Sequence, residues 1–418
     1  MVIFMTVKSH LANLKQSATL VINELSKTMF RAGKDVVNFG FGQSPFPVPD
    51  DAIKELKKNA FQKDYLPVKG LLSLRKAIHQ DLIKKSLNHY SIDNIFVGPG
   101  TKNLMFMLQL AFDGDVILPV PSWVSYDPQA VIAKNKIHWI QTTIENNWHV
   151  TPQDIEEVLK QCTAKNKLII LNSPNNPSGT NPHNLQELAN VLKKHEITVL
   201  SDEIYSDLTY NGSYHSIASF YPERTIVSNG LSKCFGAGGW RLGYFAIPDA
   251  LQDIDEAMQM IASETFSCAS APIQHAAVVA YSSDQKDWLE HQKKILKVIS
   301  DYCFKKLNTN TILVKEPEGG FYIMPDFTTM LKHKFNSSSQ MCSQLLLDTG
   351  VAVLPGSDFG FPDSQLLFRL SFVDFDGAKF LQHTKDKKSL TEQDVQQYAP
   401  KVVSGIEKIL DWAGRMSA

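Results

Sequence analysis

The feature that most constrains this chain is a regular exchange of short apolar segments with amphipathic ones, from about Asn94 to Gly230. "NIFVG", "DVILP", "IHWIQTTI", "KLIILN", "ITVLSDEIY" and "RTIVSNG" read as strands. Between them "TKNLMFMLQLAF", "TPQDIEEVLKQC" and "NLQELANVLKKHE" read as helices, the second opening on a Thr cap. Near-continuous apolar strands that alternate with helices predict an α/β fold with a mostly parallel sheet covered on both faces. Ligands of such sheets sit at the carboxyl ends of the strands. "LNSPNNPSG", "LSDEIY" and "VSNGLSK" all fall at such ends.

Outside this core the pattern differs. "HLANLKQSATLVINELSKTMFRAG" has helical spacing and stops at Gly33. "DVVNFGFG" reads as a strand before a proline-rich turn, and "DDAIKELKKNA" and "LLSLRKAIHQDLIKKSL" as amphipathic helices. After about Ala250 long helices, including "DWLEHQKKILKVISDYCFKKL", precede the short strands "TILVKEP", "GGFYIMPD", "GVAVLPG" and "LLFRLSF". These predict a smaller α+β domain. The division expected is a large α/β domain over 50–290 and a small domain from 1–49 and 291–418, the N-terminal arm and helix included. The charged stretch from His383 to Pro400 reads as a solvated excursion before a last helix.

Bulk properties narrow the function classes. A length of 418 residues suits two domains. A formal net charge of −1 offers no basic footprint for nucleic acid or an anionic membrane. Five cysteines, scattered and without a C-x-x-C pair, speak against a disulfide framework or a zinc motif and fit a reducing cytoplasm. The opening "MVIFMTVKSH" lacks the parts of a signal peptide, and no apolar run reaches transmembrane length.

One lysine stands out. In "VSNGLSKCFGAGGWRLGY" Lys233 lies among small residues and glycines, with Arg241 eight positions on. An apolar setting lowers an amine's pKa and makes it a nucleophile toward carbonyls. By itself the stretch fits equally well a glycine-rich loop with an ordinary lysine. Its neighbours at the strand ends decide. Asp202 and Tyr205 lie in "SDEIY", Asn176 in "SPNNPSG" and Trp123 in "PSWVSY". Gly100, Thr101 and Lys102 form a strand-to-helix turn whose backbone amides suit a phosphate. Together they describe a site for a phosphorylated aromatic aldehyde.

With "NSPNNPSGT", "SDEIY", "SKCFGAGGWRLGY" and "FRLSF" in this order, the chain resembles the class I aminotransferases of the fold type I pyridoxal-phosphate enzymes, from about Val36 to Phe372. The resemblance implies a cofactor, pyridoxal 5′-phosphate, held by Lys233 as a Schiff base, with Lys233 also the general base and acid. It implies Asp202 on the pyridine nitrogen, Tyr205 and Asn176 on the ring oxygen, and Trp123 on the ring face. Gly100, Thr101, Lys102 and Arg241 would hold the phosphate. Arg369, with Gly42 and Asn176, would hold the substrate carboxylate. Tyr65 resembles the tyrosine that reaches the phosphate of a neighbouring subunit, which implies a homodimer with its active site at the interface. The partners expected are an amino acid and a 2-oxo acid, with neither nucleic acid nor membrane.

The chain departs from the family's pattern in places. Gly230 stands where a phosphate-binding hydroxyl is usual three residues before the lysine, with Ser228 and Ser232 nearby, and "GGWR" replaces "TGWR" at Gly238. The scaffold also supports β-eliminating lyases, which share these residues, and non-catalytic regulators that bind the same cofactor, which usually append a DNA-binding module. Phe39, Phe41, Tyr126 and Phe266 are candidates for an apolar side-chain pocket, and "IASETFSCASAPIQH" carries no arginine for a distal carboxylate. The expected reaction is transamination by a broad enzyme, with aromatic or other neutral donors slightly ahead of aspartate.

Overall fold

A computed structural model of the chain describes residues 6–12, 14, 18–212 and 214–418. Twelve strands occur among them. They are β1 (Val37–Asn38), β2 (Ile95–Gly98), β3 (Asp115–Val120), β4 (Ile137–Gln141), β5 (Lys167–Asn172) and β6 (Thr198–Asp202). Then follow β7 (Thr225–Gly230), β8 (Gly243–Ala246), β9 (Tyr322–Ile323), β10 (Val351–Ala352), β11 (Leu354–Pro355) and β12 (Phe368–Ser371). Seven of them form one sheet in the order β2-β8-β7-β6-β5-β3-β4. β7, β6, β5, β3 and β4 pair in parallel, and β8 alone runs antiparallel, between β2 and β7. The expected mostly parallel sheet is therefore present, and its strands other than the edge strand β4 are largely buried on both faces.

The burial explains the apolar runs. Ile117, Ile169 and Val199 pack with Leu188, Leu192 and Ile155 in one apolar layer, while Leu118, Leu168, Leu200 and Phe245 pack with Leu104, Leu108 and Met258 in another. Alternate side chains of each strand serve opposite layers. The helix Pro152–Leu159 starts as read: Thr151 Oγ1 accepts from Asp154 N at 3.2 Å, and the Asp154 side chain accepts from Thr151 N at 2.8 Å.

Shorter strands lie apart from this sheet. β1 pairs in parallel with β10, and β12 lies between β11 and β9. Arg369 is thereby fixed opposite Leu354, in a strand buried throughout. The last helix, Pro400–Ser417, packs against β1: a side chain at Gly405 would collide with Phe39.

Several local expectations fail. "TILVKEP" is no strand and contributes a single bridge, Leu313 to Asp326. Its neighbours are loops, so nothing completes a ladder beside it. "IHWIQTTI" stops at Gln141, and "DVVNFGFG" is a strand only at Val37–Asn38. β8 and the helix Tyr126–Ala133 go unforeseen. The helix expected from His10 to Gly33 runs over Ala18–Arg31, after a short 3-10 turn at Ser9–Leu11; residues 13 and 15–17 of that reading lie outside the described residues, as does the apolar opening at 1–5. The 383–400 stretch is not simply solvated. It holds the helix Glu392–Tyr398, whose Asp394 and Val395 are buried, and Lys387 pairs with Asp394 there.

Candidate active site

A cavity of about 510 Å³ opens at the carboxyl ends of the parallel strands. Lys233, Asp202, Tyr205, Asn176, Trp123, Thr101, Lys102, Arg241, Gly42 and Arg369 all line it. They come from the end of β6, from the segments that follow β2, β3, β5, β6 and β7, from β12 and from the segment after β1. Gly100 stands directly behind the lining. Its φ of +88° suits glycine, and a Cβ there would lie 2.3 Å from Arg241 Nη2. The free amides of the helix Thr101–Ala111 follow it.

Lys233 is the centre of the arrangement. Its Nζ donates to Gly42 O at 2.6 Å and lies 5.6 Å from the Tyr205 ring centroid and 5.5 Å from that of Phe321. Burial lowers its pKa to about 7, and the cations Arg369, Lys102 and Arg241 act in the same direction. At neutral pH such an amine is uncharged in about half of the molecules, far more often than an ordinary lysine, and in that form it is available as a nucleophile or base.

Asp202 ends β6 and is buried. Burial pushes its pKa up to about 6, against the hydrogen bond from Tyr126 Oη to Oδ2 at 2.6 Å. Its Oδ1 makes no hydrogen bond of good geometry. A buried carboxylate oxygen without a partner is costly, and a protonated ring nitrogen would satisfy it.

Across the cavity Tyr205 Oη and Tyr322 Oη lie 2.8 Å apart. Burial raises the pKa of both phenols, which stay protonated. Arg369 is 1% exposed. It donates from Nη2 to Gly40 O at 2.5 Å and from Nη1 to Asn176 Oδ1 at 3.2 Å, and its Cζ sits 4.8 Å from the Tyr322 ring centroid. Its Nε is buried with no partner, so the fork has donor capacity left for an anion. Lys102 Nζ lies 5.0 Å from the Trp123 ring centroid, and burial lowers its pKa.

Tyr322 and Asn172 also line the cavity, and the sequence marks neither. "GGFYIMPD" carried only strand propensity, so nothing local marked Tyr322. Tyr126, a candidate pocket aromatic by sequence, instead donates its hydroxyl to Asp202. Phe39 is a core residue against the last helix, and Phe266 packs on the apolar layer beside Met258, while Phe41 does line the cavity. Tyr65 lies outside the cavity and is 88% exposed.

Gly230 has a steric explanation. It pairs with Gly243 across β7 and β8, and a Cβ on it would lie 2.8 Å from both Gly243 Cα and Leu242 O. A hydroxyl side chain does not fit there. Ser232 lines the cavity instead, whereas Ser228 is buried outside its lining.

The family model for aminotransferase class I and II matches residues 34–377. An aspartate aminotransferase of Bacillus sp. (strain YM-2) is 35% identical over 374 residues, covering 86% of this chain and 93% of its own length. An asparagine–oxo-acid transaminase of Streptococcus mutans is 32% identical over 383 residues, covering 86% and 93%. Among solved structures, the aspartate aminotransferase of Rhizobium meliloti superposes with a TM-score of 0.83 at 27% identity, covering 98% of this chain and 99% of its own. That of Thermus thermophilus with maleate does so with 0.82 at 25%, covering 96% and 99%.

Proposed function

The chain belongs to the class I and II aminotransferases, pyridoxal-phosphate-dependent enzymes that move an amino group from an amino acid to a 2-oxo acid, and we propose that Lys233 is the catalytic amine of this one. The observation that carries the assignment is Lys233 itself, a half-buried lysine that lines the cavity with Asp202 and Arg369, its amine held to a pKa of about 7 by desolvation.

The residues present fit the cofactor. Asp202 has a free, buried oxygen for the ring nitrogen. Gly100 leaves space at a helix N-terminus beside Arg241, where the phosphate would lie, with Ser232 and the amides of Thr101 and Lys102. Trp123 offers a ring face, and Tyr205 and Asn176 offer hydrogen-bond donors for the ring oxygen. When bound, pyridoxal phosphate supplies an aldehyde that exchanges with amino groups and a ring that takes up electrons.

The chain's own groups then do the following. Arg369 and Asn176 orient the substrate α-carboxylate, with Gly42 beside it. Lys233 lines the same cavity and is the base available to a substrate so held. Lys233 Nζ takes the proton from Cα and returns it on the reverse half-cycle. Asp202 keeps the ring nitrogen protonated, since a carboxylate without a cation is costly at that depth.

The donor is read from charge. Lys102 is a further cation in the lining, beyond those that a phosphate and one carboxylate require. This favours an acidic side chain, in line with relatives named aspartate aminotransferase and with a solved relative titled with maleate. It moves the expected donor from neutral toward dicarboxylic amino acids.

Three further readings go with this one. Residues 50–290 act as the large domain and 1–49 with 291–418 as the small one, supported by the β1–β10 pairing. The enzyme is a homodimer in which Tyr65, exposed on the single chain beside exposed Phe61, reaches the partner's phosphate. The compartment is the cytoplasm, which suits five free cysteines; no described helix is long and apolar enough to cross a membrane.

The test is a half-reaction followed by visible absorption. The purified protein with cofactor should lose its yellow band on addition of aspartate or glutamate and regain it with the matching oxo acid. Accumulation of ammonia with a persisting band would overturn the reading in favour of elimination.

A further inference from the structure

At the opposite ends of the strands, away from the cavity, three side chains of metal-binding type converge. Asp115 opens β3, His138 is the second residue of β4, and Cys162 follows the helix Pro152–Leu159. One ligand atom from each lies within 4.8 Å of the others. We propose that Asp115, His138 and Cys162 bind a thiophilic divalent cation of the zinc class at this edge of the sheet.

The chemistry of the set is specific. A carboxylate, an imidazole and a thiolate together suit zinc, cobalt or a similar ion, and not magnesium or calcium, which want oxygen alone. His138 Nε2 and Asp115 Oδ2 are 3.1 Å apart. Neighbouring ligand atoms around a four-coordinate zinc are about 3.3–3.8 Å apart, from bond lengths of about 2.0–2.3 Å. The pair thus already stands near the required separation.

The carboxylate is held in place by the chain around it. Thr163 N donates to Asp115 Oδ2 at 2.8 Å and Ala164 N at 3.2 Å. Such outer contacts orient a metal ligand. Asp115 and His138 are buried, while Cys162 is half-buried and gives the ion a way in from solvent. Among the described residues, Cys162 Sγ hydrogen-bonds Val158 O, at 3.5 Å. On binding, the thiol proton leaves to solvent, the ring proton of neutral His138 moves from Nε2 to Nδ1 by exchange with water, the Asp115–His138 hydrogen bond is exchanged for bonds to the metal, and water takes the fourth position. The bound ion would tie the edge strand β4 to β3 and to the turn after the helix.

The experiment is titration of the cofactor-loaded protein with cobalt chloride, read at wavelengths beyond the cofactor's absorption. One equivalent should develop the intense visible bands of tetrahedral cobalt. Cys162→Ser should abolish them and His138→Asn should weaken binding at least about tenfold, while both variants keep the cofactor band as a sign of folding. Zinc should displace cobalt and raise Tm in the wild type alone, and magnesium should do neither. Absence of the bands at one equivalent, or bands of equal strength in Cys162→Ser, would overturn the site.

Discussion

Tyr126 Oη donates to Asp202 Oδ2 at 2.6 Å, and this is the hydrogen bond that fixes the carboxylate while Oδ1 faces no partner. Tyr126→Phe should remove that donor, leaving the backbone of Ile204 as the remaining one, and raise the Asp202 pKa beyond about 6. The loss should amount to about 1–3 kcal/mol in cofactor affinity at neutral pH. Equilibrium binding of pyridoxal phosphate against pH checks this. An unchanged affinity from pH 6 to 8 would mean that the tyrosine does not act on Asp202.

Asp202 also sets a pH dependence of stability. Its folded pKa, about 6, lies above the ordinary 3.8, so between these values the native state holds the proton more firmly than the unfolded chain. Its contribution to stability is therefore intact below about pH 4 and falls as pH rises through 6. The rise corresponds to about 3 kcal/mol. Without cofactor, Asp202→Asn should be more stable than the wild type at pH 7–8, and the advantage should vanish near pH 4. Denaturant melts of the two apoproteins at both pH values measure it. With cofactor the order should reverse, because the ring nitrogen loses its counter-charge.

Lys233→Ala should lower kcat roughly 10⁴-fold or more, since both the proton carrier and the nucleophile disappear. The phosphate contacts remain, so cofactor should still bind, with a shifted absorption band. Steady-state turnover together with the spectrum of the gel-filtered variant checks both. Wild-type turnover in this variant would sink the assignment.

Arg369→Lys keeps a charge but loses the planar fork that meets Asn176 and Gly40. We expect kcat/KM to fall by about 100-fold, mostly through KM, with the cofactor band intact. Loss of cofactor at unchanged KM would place the arginine elsewhere.

Gly230→Ser tests the close approach of β7 to β8. Its Cβ would lie 2.8 Å from Gly243 Cα and Leu242 O, both backbone atoms that cannot swing aside. Thermal unfolding should show a loss of about 1–3 kcal/mol. A variant as stable as the wild type, binding cofactor more tightly, would show that the hydroxyl can be accommodated after all.

The central sheet was legible in the sequence because its signal is local. "KLIILN" and "DVILP" are apolar between their end residues since helices cover both faces, and the candidate site residues lie at or within a few positions of the strand ends. Short motifs therefore mark Lys233, Asp202, Asn176 and Trp123, which line one cavity. The short strands were not. "TILVKEP" has the composition of a strand, yet strand propensity needs a neighbour to pair with, and tertiary context supplied none. The 383–400 stretch looked solvated because it is charged, but its buried Asp394 is paired with Lys387.

What the sequence by itself determined is the order of strands and helices and the kinds of group placed at the strand ends. Only the tertiary structure decided which of these groups meet. Lys233 reaches Gly42 across 191 positions, Arg369 reaches Asn176 across 193, and Tyr322, unmarked by any motif, reaches Tyr205 across 117. Periodicity is written over a few residues by the geometry of helix and strand. A long-range contact is chosen by the packing of whole layers, and no local pattern encodes it.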